Sequence, residues 1–188
     1  MTDIQHAERV QVKLFASKPA ADPLDLVPVF HRWIREDKVP GELLIDVADY
    51  THVWQGPGIL LVGHGIDLYY DLGENRPGIL FARKRELEGD LKARLIDALK
   101  RALTACKELE TDGLEFQASE VLVRVPDRLH APNDDDAFTA FVPILEAAAR
   151  EIYGADATLV IEREAAGKRE PLTARLRIDD APPVAALA

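Results

Sequence analysis

Six side chains able to do acid–base or metal chemistry lie close together in one stretch, LLIDVADYTHVWQGPGILLVGHGIDLYYD, from residue 43 to 71: Asp46, Asp49, His52, His64, Asp67 and Asp71. Imidazoles and carboxylates brought to one point can hold Zn²⁺ or another divalent ion, or exchange a proton with a substrate. The spacing argues otherwise. His52 and His64 are separated by eleven residues, a spacing that fits no metal template, and there is no HExxH, CxxC or paired-histidine helix face. Asp67, Tyr69 and Asp71 alternate with Ile66, Leu68, Tyr70 and Leu72, which reads as the solvent face of a half-buried strand. If LLIDVADY pairs with GILLVGH as a hairpin, Gly58 to His64 spans about 20 Å at ~3.3 Å per residue. Both imidazoles then cannot reach one ion at ~2.1 Å. His52 and His64 are expected on the same side of the sheet but not in contact, with no metal held between them. The alternative is an acid–base or metal-dependent enzyme, with His64, Asp49 and Asp67 as catalytic candidates and His52 with His64 as metal ligands.

The remaining chemistry-bearing residues have plain structural readings. Gly-Pro-Gly at 56–58 and Gly-His-Gly at 63–65 fit no phosphate-loop or dinucleotide pattern and read as turns, so no cofactor is expected. Arg83, Lys84 and Arg85, with Arg76 nearby, form the one basic cluster. Arg83 and Arg85 are candidate anion contacts, against the alternative of a solvated corner. Asn133-Asp134-Asp135-Asp136 has the composition of a metal loop but stands where a helix needs a cap. Cys106 falls on the apolar stripe of a helix and reads as an inert core residue. Tyr50 and Trp54 flank the Gly-Pro-Gly loop, where burial is difficult, and are candidate partner-binding residues.

The composition bounds the setting. The 188 residues carry a net charge of −10, which opposes nucleic-acid binding by long-range repulsion from phosphate. One cysteine permits no intrachain disulfide and suits a reducing cytoplasm. MTDIQHAERV lacks the apolar core of a signal peptide, and no apolar run approaches the ~20 residues of a membrane span. A cytoplasmic protein without membrane or nucleic-acid partners is expected.

The elements that must position these residues follow from periodicity. Strands are expected at 9–16, 42–50 (buried on both faces), 58–64, 65–72, 79–84, 120–127, 157–164 and 172–179. Helices are expected at 24–37, 86–110 and 137–153, the first capped by Asp22 with Pro23 in its first turn. On the long helix, Leu87, Leu91, Leu95, Leu99, Leu103 and Cys106 form the stripe. Glu88–Lys92, Asp90–Arg94 and Asp97–Arg101 make acid-then-base pairs on a wet face.

Two segments resemble each other. VQVK, a loop and LVPVFHRWIRE then LLID are echoed by VLVR, a loop and FVPILEAAARE then LVIE. The paired prolines, Pro28 and Pro143, suggest one kinked or late-starting helix built twice, because an interior proline costs ~3 kcal/mol. The fold expected is α+β: a mixed, largely antiparallel sheet with three helices and a possible duplicated β-α-β-β unit. It forms a single domain, 1–188, with halves 9–84 and 118–180 joined by helix 86–110 and a disordered tail at 181–188.

The runs LLIDVADYTHVWQGPGILLVGHG and RPGILFARKR resemble a bacterial protein family with no assigned activity. The resemblance implies a bacterial cytoplasmic setting and transfers no functional residue. Taken together, these features favour a non-enzymatic binding or protein-interaction domain that self-associates as a homodimer, with a further protein or small-molecule partner.

Overall fold

The computed structural model describes residues 4–85, 87–164, 167 and 169–188. The expected helix start at residue 86 and parts of the loop 165–171 and of the N-terminus lie outside the described residues.

The architecture is α+β. In chain order the elements are β1 (Gln11–Lys18), α1 (Leu26–Glu36), β2 (Leu44–Tyr50), β3 (Gly58–Gly63), β4 (Ile66–Asp71), β5 (Gly78–Arg83), α2 (Leu91–Glu110), β6 (Glu115–Val125), α3 (Asp135–Tyr153), β7 (Leu159–Arg163), β8 (Leu172–Ile178) and α4 (Val184–Leu187). The strands form one open sheet in the order β2-β3-β4-β5-β1-β6-β8-β7. Each neighbouring pair is antiparallel, so the sheet is not mixed. No helix among the described residues is long and apolar enough to cross a membrane.

The helices pack against one face of the sheet. Val12 and Leu14 of β1, Ile59 and Leu61 of β3, Phe81 of β5 and Val121 and Val123 of β6 point into this core. α2 lies centrally over β5, β1 and β6 and against α3, while α1 covers β2 and β3. Cys106 is fully buried on α2, and burial pushes its thiol pKa well up.

Local chemistry sets the helix starts. Asp22 accepts from the Leu24 amide and, in a capping box with Asp25, caps a 3-10 turn, Pro23–Asp25, that leads into α1; α1 itself has no side-chain cap. Asp134 accepts from the Ala137 amide at the start of α3, so the acidic run there is a cap. α2 begins at Leu91 rather than 86, because Gly89 takes a φ of 108° and the Asp90 carboxylate accepts from the Ala93 amide. Asp90 therefore does not pair with Arg94. Arg94 is buried, donating to the carbonyls of Leu87 and Ala7 and so anchoring the N-terminal segment. The tail is not disordered: α4 packs on α2 with Val184 buried.

The two halves share a path. In each, the strand after the helix runs to the outside of the sheet, and the last strand returns to pair with the first; β1 and β6 then meet at the centre. The first half contains two more strands than the second. The prolines are not equivalent: Pro28 lies in the first turn of α1, whereas Pro143 lies inside α3.

Candidate functional site

The six side chains of the opening stretch are not gathered. β2 and β3 pair from Leu44↔Gly63 to Tyr50↔Gly58. His52 therefore sits in the loop at one end of this hairpin, and His64 follows Gly63 at the other. They are not neighbours, because the length of β3 lies between them. Among the described residues no group of three or more His, Cys, Asp or Glu side chains is arranged to hold a metal ion.

Each carboxylate of the stretch already has a local partner. Asp46 accepts from the Val47 amide at 2.8 Å. Asp49 accepts from both the hydroxyl (2.7 Å) and the amide (2.8 Å) of Thr51, which hold its pKa below the usual carboxylate range. Asp67 and Asp71 lie on the helix-free face as alternation predicts, yet both are buried rather than solvated. Lys84 Nζ lies 2.8 Å from Asp67, and Lys13 Nζ lies 2.5 Å from Asp71. Burial, reinforced by Asp67, pushes the Tyr69 phenol up to about 12.

The helix-free face is sealed by its own long side chains. Lys13, Phe15, Leu80 and Leu122 are all buried there although no helix covers them. The Arg76 guanidinium stacks 3.8 Å above the Phe15 ring and makes a bidentate pair with Glu120 at 2.8 and 2.9 Å. Arg175 bridges Glu120, Glu74 and Glu164. Arg76 and Arg175 together hold Glu120 down at about 2. Alternation marks this face as polar, but the partners come from four separate strands and turns, and Lys13 does not stand out in the sequence.

The basic cluster is likewise occupied. Arg83 is buried and pairs with Glu42 at 2.8 Å and Asp97 at 2.5 Å, tying β5 to α2 and to the α1–β2 connection. Its charge is compensated, so it is not positioned to receive an outside anion. Arg85 donates from Nε to the His64 carbonyl at 3.3 Å.

The exposed features converge on β2 instead. This strand is an edge, not a strand buried on both faces, since the sheet ends there. Leu43 is 68% exposed, Ile45 54% and Trp54 83%, with Tyr50 and Val53 also open to solvent. The loop that presents Trp54 is firmly built. Val53 donates to the Tyr50 carbonyl and Gly56 to the Val53 carbonyl, while the Leu72 amide reaches back to the Gly56 carbonyl. Gly58 closes the loop at φ +62°, where a Cβ would meet the Tyr70 carbonyl oxygen at 2.1 Å. His52 stacks on Tyr50 with ring centroids 6.2 Å apart. The opposite edge, β7, is guarded by charge: Glu162 pairs with Arg177 at 2.5 Å, and Arg163 is held by Asn133 and Asp135.

The best candidate site is therefore an interaction edge formed by β2 and its aromatic loop. Comparison of the chain with protein-family models and with curated proteins finds no match.

Proposed function

We propose that the protein is a non-enzymatic cytoplasmic binding domain that works as a homodimer, joined by antiparallel pairing of β2 with β2 of a second copy. The observation that carries this reading is the exposure of Leu43, Ile45 and Trp54 along and beside the β2 edge of the sheet. An edge strand offers a row of unpaired amides and carbonyls, and apolar side chains beside it favour a partner strand over water.

The charges on β2 select the register. Opposed side chains in an antiparallel pair share a face, and like charges directly opposed are destabilising. Pairing centred on Asp46 sets that aspartate against its own copy, and pairing centred on Asp49 does the same. Centring on Val47 or Ala48 sets no aspartate against another and keeps the helices of both copies on one side. The bulge between Leu44 and Asp46 leaves 46–50 as the regular segment available for pairing.

The enzyme reading brings His52 and His64 together with Asp46, Asp49 or Asp67, and it is less favoured because the two histidines lie at opposite ends of the β2–β3 hairpin. A single buried cysteine supports the cytoplasmic setting. Light scattering at micromolar concentration tests the proposal. A dimer is expected for the natural chain and a monomer for Ile45→Lys and for Trp54→Ala. A monomeric natural chain overturns the dimer.

A further inference from the structure

The helix layer leaves a gap. α1 lies over β2 and β3, and α2 over β5, β1 and β6, so β4 falls between the strands that the two helices cover. A cavity of about 340 Å³ fills that gap. Its floor is Ile66 and Leu68 of β4 with Phe81 of β5, its walls are Trp33 of α1 and Ala105 of α2, and Val39 of the α1–β2 connection forms part of its roof. The volume lies within the range of small-molecule pockets, about 300–1,000 Å³.

The interior is apolar. The backbone groups of the floor strands are taken up in the β3-β4-β5 ladder. A buried water needs two to four polar partners, and the floor and wall side chains named here offer one polar group, the Trp33 indole N–H. The charges stand at the rim, and each already has a partner. Arg101 pairs with Asp97 at 2.9 Å, Asp97 also with Arg83 at 2.5 Å, and Lys38 with Glu108 at 3.4 Å. A charged ligand group entering here must break one of these pairs or be buried without a counter-ion, which is costly.

We propose that this cavity is a binding site for a small, uncharged, mainly apolar molecule with a ring-sized body, packed between Trp33 and Phe81. The site is separate from the β2 edge, so it stands or falls independently of dimerisation.

Three probes that share one body test the proposal on the full chain: p-cresol (neutral), p-toluate (anionic) and 4-methylbenzylammonium (cationic). A Trp54→Phe variant leaves Trp33 as the sole tryptophan and reports occupancy by fluorescence, with amide NMR shifts as a second readout. Saturable binding of p-cresol is expected, with perturbed amides at Leu68, Phe81 and Ala105. The two charged probes are expected to bind at least about tenfold more weakly. Ala105→Leu and Val39→Phe fill the cavity from different sides, and whichever of them folds is expected to lose p-cresol binding. No saturable binding of p-cresol, or binding retained in the folded filled variants, overturns the site. Equal or tighter binding of either charged probe overturns its assignment to neutral ligands.

Discussion

Lys13 and Asp71 form an ion pair in the middle of the sheet, Nζ to Oδ2 2.5 Å, with the lysine side chain wholly excluded from solvent. Lys13 also donates to the Gly73 carbonyl at 2.9 Å, and the Gly73 amide donates back to Asp71. Desolvation lowers the lysine pKa, and Asp71 opposes that fall. Removing one partner strands the other charge. Lys13→Met is expected to lose about 3–5 kcal/mol of stability, and the double variant Lys13→Met/Asp71→Leu to lose less than Lys13→Met alone. Urea unfolding of the three proteins measures this; a double variant less stable than Lys13→Met refutes it.

Glu120 is expected to contribute to the acid limb of stability. Its folded pKa, about 2, lies below the ordinary 4.5 because of Arg76 and Arg175. A depressed carboxylate contributes stability that is complete above the ordinary value and is lost as pH falls from about 4.5 toward about 2. Glu120→Gln is expected to melt lower at neutral pH and to flatten the pH dependence across that window. An unchanged acid limb in Glu120→Gln counts against the assignment.

Pro28 and Pro143 are both exposed, so replacing either by alanine sacrifices little packing. Pro28 lies where a helix has no amide partner to lose, and Pro143 where it does. Pro143→Ala is therefore expected to raise the unfolding free energy by about 1 kcal/mol or more, and Pro28→Ala to change it by less than about 0.5 kcal/mol. Equal effects at the two sites disprove this account.

Cys106 is expected to resist a thiol reagent at neutral pH until the protein unfolds, because burial suppresses the thiolate and blocks access. Labelling in the native state at the rate of a free thiol contradicts its place in the core.

Much of the fold is legible from local pattern. The stripe from Leu91 to Cys106 is a property of one helix, and the capping roles of Asp22 and Asp134 concern amides two or three residues away. The His64-Gly65 turn between β3 and β4 follows from two apolar runs separated by two residues. The cap at Asp90 was the local feature obscured, because Leu87 continues the stripe one turn beyond the helix.

The tertiary structure decided what each strand is for. LLIDVADY is apolar enough to read as a buried strand, but only the strand order makes β2 an edge and leaves Ile45 exposed. Asp71 reads as a solvated acid because its partner, Lys13, is 58 residues away in the chain. Arg83 reads as an anion contact because Glu42 and Asp97 come from other elements. Periodicity records which face of an element is apolar, and that is fixed by residues a few positions apart. Which element covers that face, which charge meets which, and where two helices leave a gap depend on contacts between distant segments, which no local pattern encodes.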